Sequence, residues 1–194
     1  MMKNKYNLII IFGKAGAGKD TLLQTVYKKR KDDLNLIISD TTRPPRDKEV
    51  NGIDYNFVSE DFFLTHEDEY LEYTKFNNWY YGTRFTSLSK DKINIGVMNL
   101  SGIKKLYEYD DIKVKLYYVS APEKERILRQ INREKYPDIK EICRRFLADE
   151  EDFGDFHKYP FTKLRNSAHF SIPQCTEIIE EGIDELLSDL GKMN

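Results

Sequence analysis

The feature that most constrains this chain lies near its start. Five consecutive apolar residues, Leu8–Phe12, run directly into Gly13-Lys-Ala-Gly-Ala-Gly18-Lys19-Asp20-Thr21. A short unbroken apolar run suits a strand buried on both faces of a parallel sheet. The glycines let the backbone curl so that its N–H groups point at an anion, and the following helix adds the positive end of its dipole. The pattern is G-x-x-x-x-G-K, a phosphate-cradling loop, with Asp20 where Ser or Thr is usual. Lys19 reaches toward the β- and γ-phosphates of a bound nucleoside triphosphate. Leu22, Leu23, Val26 and Tyr27 then recur at helical spacing up to the basic stop Lys28–Lys31. Strand, glycine loop and helix in this order make Gly13, Lys14, Ala15, Gly16, Ala17, Gly18, Lys19, Asp20 and Thr21 the expected ATP-binding residues.

Strand and helix patterns alternate along most of the remaining chain. Strands are expected at Leu34–Ser39, Tyr55–Val58, Ile93–Leu100, Val114–Val119 and Phe170–Ile172. Helices are expected at Ile103–Tyr109, Pro122–Asn132 and Ile139–Glu151, and the apolar positions from Ile179 to Leu190 form a closing amphipathic helix that stops at Gly191. Glu60–Tyr73 reads as helical, then extended. Residues 40–90 lack the alternation of their flanks and read as an inserted subdomain. The expectation is α/β: a three-layer P-loop NTPase fold with a central parallel sheet and helices on both faces. Its core would comprise 1–39, 91–128 and 152–194, with a helical lid at 129–151.

Composition narrows the function classes. The 194 residues carry 31 Lys+Arg against 33 Asp+Glu, a net charge of −2, which excludes a global cationic footprint for nucleic acid or an anionic membrane. Aromatic residues at 13% argue against long disorder. Cys143 and Cys175 fit no zinc spacing and read as reduced thiols of a cytoplasmic protein. The apolar run falls far short of the roughly 20 residues that cross a bilayer.

Two further stretches carry chemistry. Ser39-Asp-Thr-Thr-Arg43-Pro-Pro-Arg46, followed by Glu49-Val-Asn-Gly-Ile-Asp-Tyr55-Asn-Phe-Val58, makes a rigid cationic corner whose arginine forks suit bidentate capture of a second phosphate. Tyr55 and Tyr81 add hydroxyl donors. In Glu72-Tyr-Thr-Lys-Phe-Asn-Asn-Trp-Tyr-Tyr81-Gly82-Thr83, Glu72 suits two N–H groups on one nucleobase edge, a guanine-like demand. The third stretch is arginine-rich: Arg126, Arg129, Arg133, Arg144 and Arg145. Arg126, with Glu123 and Glu125 as neighbours, reads as a surface residue.

With these motifs in this order, the sequence resembles the guanylate kinase family from about Leu8 to Val119, and more weakly beyond. The resemblance implies transfer of the γ-phosphoryl of ATP to GMP or dGMP with Mg²⁺ as cofactor. It implies that Ser39, Arg43, Arg46, Tyr55 and Tyr81 hold GMP, the arginines and tyrosines mostly at its phosphate, while Glu72 reads the guanine N1 and N2 edge and Thr83 the O6 edge. Lys19, Arg43, Arg133 and Arg145 would be the catalytic residues, with Arg144 an alternative to Arg145.

The chain departs from the family pattern at three points. Asp20 replaces a hydroxyl residue. An Asp-x-Asp pair that ends a core strand in the family is Val97-Met-Asn99 here, Asn99 retaining a hydrogen-bonding role at the base site. Asp20 would restore one of the two lost carboxylates from the opposite side and ligate Mg²⁺. The family's Asn-Asp step after the last strand is absent from Ile172-Pro173-Gln174, leaving the adenine contact unassigned. The alternative readings are a nucleoside or deoxynucleoside monophosphate kinase of other base preference, and a guanylate-kinase-like module that binds without catalysis.

Overall fold

The computed structural model describes residues 6–46, 49–76, 78–133, 135–167 and 171–191. Its centre is strand β1 (Tyr6–Phe12), buried at every position. Because side chains alternate across a strand, Ile9 and Ile11 enter one core cluster while Leu8, Ile10 and Phe12 enter the other. β1 pairs in parallel with β7 (Ile93–Val97) on one side and β8 (Ile112–Ser120) on the other. β2 (Leu34–Leu36) and β9 (Thr162–Arg165) complete a five-stranded parallel sheet in the order β2-β7-β1-β8-β9.

One core cluster is closed by α1 (Lys19–Lys29) and α6 (Ile172–Gly191), through residues such as Leu22, Val26, Ile179 and Ile183. The other is closed by α3 (Leu100–Leu106) and by an aromatic group, Phe153, Phe156 and Phe161, gathered on Phe12 and Tyr118. This is the expected layering of helices on both faces. Parallel strands cannot be joined by a tight hairpin and need such crossovers.

A second, four-stranded sheet has the order β4-β3-β6-β5. It contains β3 (Asp40–Thr41), β4 (Asn56–Phe57), β5 (Tyr70–Phe76) and β6 (Trp79–Arg84), with the short helix α2 (Glu60–Thr65) between β4 and β5. Its internal tie is Asp40, 1% exposed, which accepts hydrogen bonds from Tyr70 and Asn56 and pairs with Arg84 at 2.8 Å. α4 (Glu123–Arg133) and α5 (Ile139–Asp152) follow β8.

Two expectations are corrected. The strand expected at Leu34–Ser39 divides: Leu34–Leu36 joins the parallel sheet, and the chain then passes to the other sheet at Asp40. The last strand is not Phe170–Ile172. Ile172 opens α6, with Pro173 in the first turn where its missing N–H costs nothing; Phe170 lies outside the described residues. The last strand is β9, whose Thr162, Lys163 and Arg165 are exposed and whose Leu164 alone is buried, as suits a sheet edge. Among the described residues no helix is long and apolar enough to cross a membrane.

Candidate active site

The loop between β1 and α1 is held in a shape that other residues could not adopt. Gly16 and Gly18 have φ of +76° and +95°. A Cβ at Gly16 would stand 2.4 Å from the Arg126 carbonyl oxygen, and one at Gly18 2.3 Å from Asn166 Nδ2. A side chain at either position would be strained by the positive φ and would collide, at Gly16 with the Arg126 backbone and at Gly18 with the Asn166 side chain.

Its carbonyls are engaged one after another. Lys19 Nζ donates to Lys14 O at 3.2 Å, Arg126 Nε to Ala15 O at 3.0 Å, and Asn166 Nδ2 to Ala17 O at 2.7 Å. Arg129 Nη1 approaches Gly16 O and Ala17 O, both at 3.4 Å. Among the described residues the amides of Gly16, Gly18, Lys19 and Asp20 have no protein partner. Carbonyls bound by protein donors and amides left unbound are the arrangement an anion needs. Burial lowers the pKa of Lys19, against the opposing effect of Asp20 and Asp149.

Two sequence expectations change here. Arg126 is not a surface residue: it is 3% exposed and reaches under the loop. Asn166 directly follows the last strand and braces Ala17, so the chain does carry an asparagine at that step. Sequence reasoning placed the step at Ile172–Gln174 because it took the wrong segment as the strand.

The Arg43 corner contains an organiser that sequence reasoning left without a role. Glu49 Oε1 and Oε2 accept from Arg43 Nη2 at 2.9 and 2.8 Å, and Oε2 also accepts from the Arg46 amide at 2.8 Å. Burial alone would raise the Glu49 pKa, but hydrogen bonds from the Arg46 amide and the Arg43 guanidinium hold it below the usual carboxylate range. Arg43 Nη1 donates to Pro44 O at 2.7 Å. Both terminal nitrogens of the Arg43 fork are therefore engaged within the corner, and Arg46, 35% exposed against 7% for Arg43, is the more accessible of the two cations. Tyr55 packs edge-on against Tyr81 at 6.1 Å, and Arg43 lies over its ring at 5.7 Å. Burial pushes the Tyr55 hydroxyl up to about 12, with Asp20 and Tyr81 adding to it, so it is a donor at neutral pH.

Glu72 stands opposite Thr83 in the β5–β6 ladder. Both are buried, and the Thr83 hydroxyl lies 3.1 Å from that of Ser39. Burial raises the Glu72 carboxyl to about 7, opposed by hydrogen bonds from Thr83. A Cβ at Gly102 would come 2.7 Å from Glu72 Oε2, so α3 begins against this carboxylate. Asn99 is exposed, and its Oδ1 caps α3 by accepting from Gly102 N at 2.8 Å. Asn and Asp cap equally well. Val97 packs in the core cluster.

α4 and α5 bring the remaining cations. Arg46 has a lowered pKa, from burial first and then from Arg43, Arg145 and Arg133. Arg133 also bears on Lys19. Arg144 instead lies over the Phe76 ring at 5.0 Å, and Glu141 braces both Arg144 and Arg145. Arg145 adds to the lowering of the Arg46 pKa, and Tyr81 to the raising of that of Arg144, so each of the two candidates borders a residue of the expected monophosphate site. Arg133 thus bears on both Lys19 and Arg46, and Arg43 and Arg145 bear on Arg46. Like charges gather this way where polyanions bind.

The model of one family, described as guanylate kinase, matches residues 5–181. A guanylate kinase of Caldanaerobacter subterraneus is 32% identical over 184 residues, covering 92% of this chain and 88% of that protein. One from Wigglesworthia glossinidia brevipalpis is 28% identical and covers 100% and 96%. The crystal structure of guanylate kinase from Anaplasma phagocytophilum superposes with a TM-score of 0.65 at 20% identity, over 95% of this chain and 88% of that one; it supports the fold.

Proposed function

The chain belongs to the guanylate kinase family, and from that premise we propose how its residues carry the γ-phosphoryl group of ATP to GMP, giving ADP and GDP. The observation that carries the reading is the glycine loop with its unbound amides, joined in one chain to the Glu49-braced Arg43–Arg46 corner and the buried Glu72–Thr83 pair. The unbound amides of Gly16, Gly18, Lys19 and Asp20 hold the ATP phosphates, those of Ala15 and Ala17 being taken by Asp149 and Lys14. Arg43, Arg46, Tyr55 and Tyr81 hold the acceptor phosphate, and Glu72, Thr83 and Ser39 take the guanine, with Asn99 at its margin. Lys19, Arg133 and Arg145 offset the charge spread over the moving phosphoryl. The acceptor is already an oxyanion, so positioning and electrostatics suffice without a general base.

Asp20 is the residue that would hold Mg²⁺. It is exposed in the first turn of α1, beside Lys19 and close enough to Tyr55 to raise its pKa. Among the described residues no three acidic, His or Cys side chains form a metal cage. One carboxylate completed by phosphate oxygens and water is a donor set Mg²⁺ accepts. Bound there, the ion would neutralise charge on the ATP phosphates. Asp20→Ser is expected to lower kcat at least tenfold, about 1.4 kcal/mol. Adding Asn99→Asp, which keeps the α3 cap, is expected to restore part of it. A double variant no better than the single one counts against the exchange.

The direct test is ADP release from ATP and Mg²⁺ with each ribo- and deoxynucleoside monophosphate in turn. Turnover confined to GMP or dGMP supports the Glu72 pocket. Turnover with another base would retain the mechanism and replace the specificity, and ATP binding without any turnover would favour a binding module.

A further inference from the structure

We propose that Arg126 and Asp149 form a positioning clamp that couples the shape of the phosphate loop to the seating of α4 and α5. Ala15, the third residue of the loop, is held through both of its backbone groups. Its N–H donates to Asp149 Oδ2 at 2.7 Å, and its C=O accepts from Arg126 Nε at 3.0 Å. The two side chains are themselves paired, Arg126 Nη2 to Asp149 Oδ2 at 2.9 Å. Arg126 is 3% exposed and lies over the Phe146 ring at 5.2 Å. Lys14 pairs with Glu150 at 2.6 Å beside it. The clamp leaves the unpartnered amides of Gly16 and Gly18–Asp20 clear, so it does not occupy the anion seat.

The clamp lies on the helices that deliver the catalytic arginines. Arg126 is two turns before Arg133 on α4, and Asp149 about one turn after Arg145 on α5. Helices transmit position as rigid rods, so whatever fixes residues 126 and 149 also fixes how Arg133 and Arg145 approach the site. The loop tip and the two helices then share one conformational equilibrium. A ligand that favours the seated loop favours the seated helices by the same factor, and the reverse also holds.

Both residues act through the loop, so they are positioning residues. Their role rests on the proposed function only for the identity of the reaction. The experiment uses Asp149→Asn, which keeps an acceptor for Ala15 N–H and removes the charge facing Arg126. Arg126→Lys keeps the cation and loses the fork. A fluorescent ATP analogue measures loop binding independently of turnover. The ratio of ATP hydrolysis to phosphoryl transfer measures how well the arginines and water exclusion are coordinated.

For Asp149→Asn we expect ATP-analogue affinity to fall roughly five- to twentyfold, the hydrolysis-to-transfer ratio to rise, and the KM for GMP to stay within about twofold, since a 1–2 kcal/mol coupling is lost. The double variant is expected to be no worse than the worse single one, as for a pair acting as a unit. Glu108→Gln, at the exposed Lys105–Glu108 pair away from the clamp, is expected to change little. Wild-type ATP affinity and ratio in Asp149→Asn, or simple multiplication of the two single effects, would overturn the clamp. If wild-type protein binds the analogue but phosphorylates nothing, the kinase reading fails while the affinity comparison still decides the clamp.

Discussion

Glu72 concentrates the residue-scale chemistry. Burial holds its carboxyl near 7, above the value near 4.3 of an exposed glutamate. Its burial is therefore least costly below the exposed value, and that stability is lost as pH rises through about 7. Guanine recognition runs the other way, because accepting two N–H donors needs the ionised form. We predict that the KM for GMP falls as pH rises from about 6 to 8, beyond the change in a Glu72→Gln variant, which still reports the titration of the GMP phosphate itself. Parallel profiles in the two proteins would remove the role of Glu72 ionisation. The glutamine variant, with one acceptor oxygen in place of two, is expected to raise that KM about tenfold or more, since an unmatched buried donor costs roughly 1–3 kcal/mol.

Among the elements, the Arg43–Arg46 corner is organised by one carboxylate, that of Glu49. Glu49→Gln keeps the shape and removes the charge that locks Arg43. We expect the KM for the monophosphate to rise about tenfold, again roughly 1–2 kcal/mol for a charged hydrogen bond, with the KM for ATP unchanged; steady-state kinetics with each substrate varied separates the two. This role was not legible in the sequence, although the residue stood inside the motif. Arg43 and Glu49 meet across a turn whose geometry no periodicity encodes. Asp149 and Asn166 were hidden more deeply, since their loop partners lie 134 and 149 residues away. Arg126 misled because a helix rich in Glu and Arg resembles a solvated one until the loop packed against it is seen. The phosphate loop was legible because its requirements are local: glycines at positive φ, an apolar strand before, a helix after.

At the scale of the whole molecule, β1 was legible as one unbroken apolar run, while β7 shows only the interrupted set Ile93, Ile95 and Val97 and β8 a run confined to Leu116–Val119. β9 was missed because an edge strand buries only Leu164. The connection order has its own consequence for biogenesis. Segment 40–84 pairs almost entirely with itself, so its sheet can assemble as soon as that stretch leaves the ribosome. β1 has no such option. Its neighbours are Asn94 and the rest of β7, then β8, and at typical synthesis rates the roughly 90 residues between Leu8 and Asn94 take on the order of ten seconds to make. Through that interval the most apolar strand of the protein has no partner. In the meantime α1, made directly after β1, can cover Ile9 and Ile11, but Leu8, Ile10 and Phe12 wait for α3 and β8 before the strand that leads into the phosphate loop can become the middle of anything.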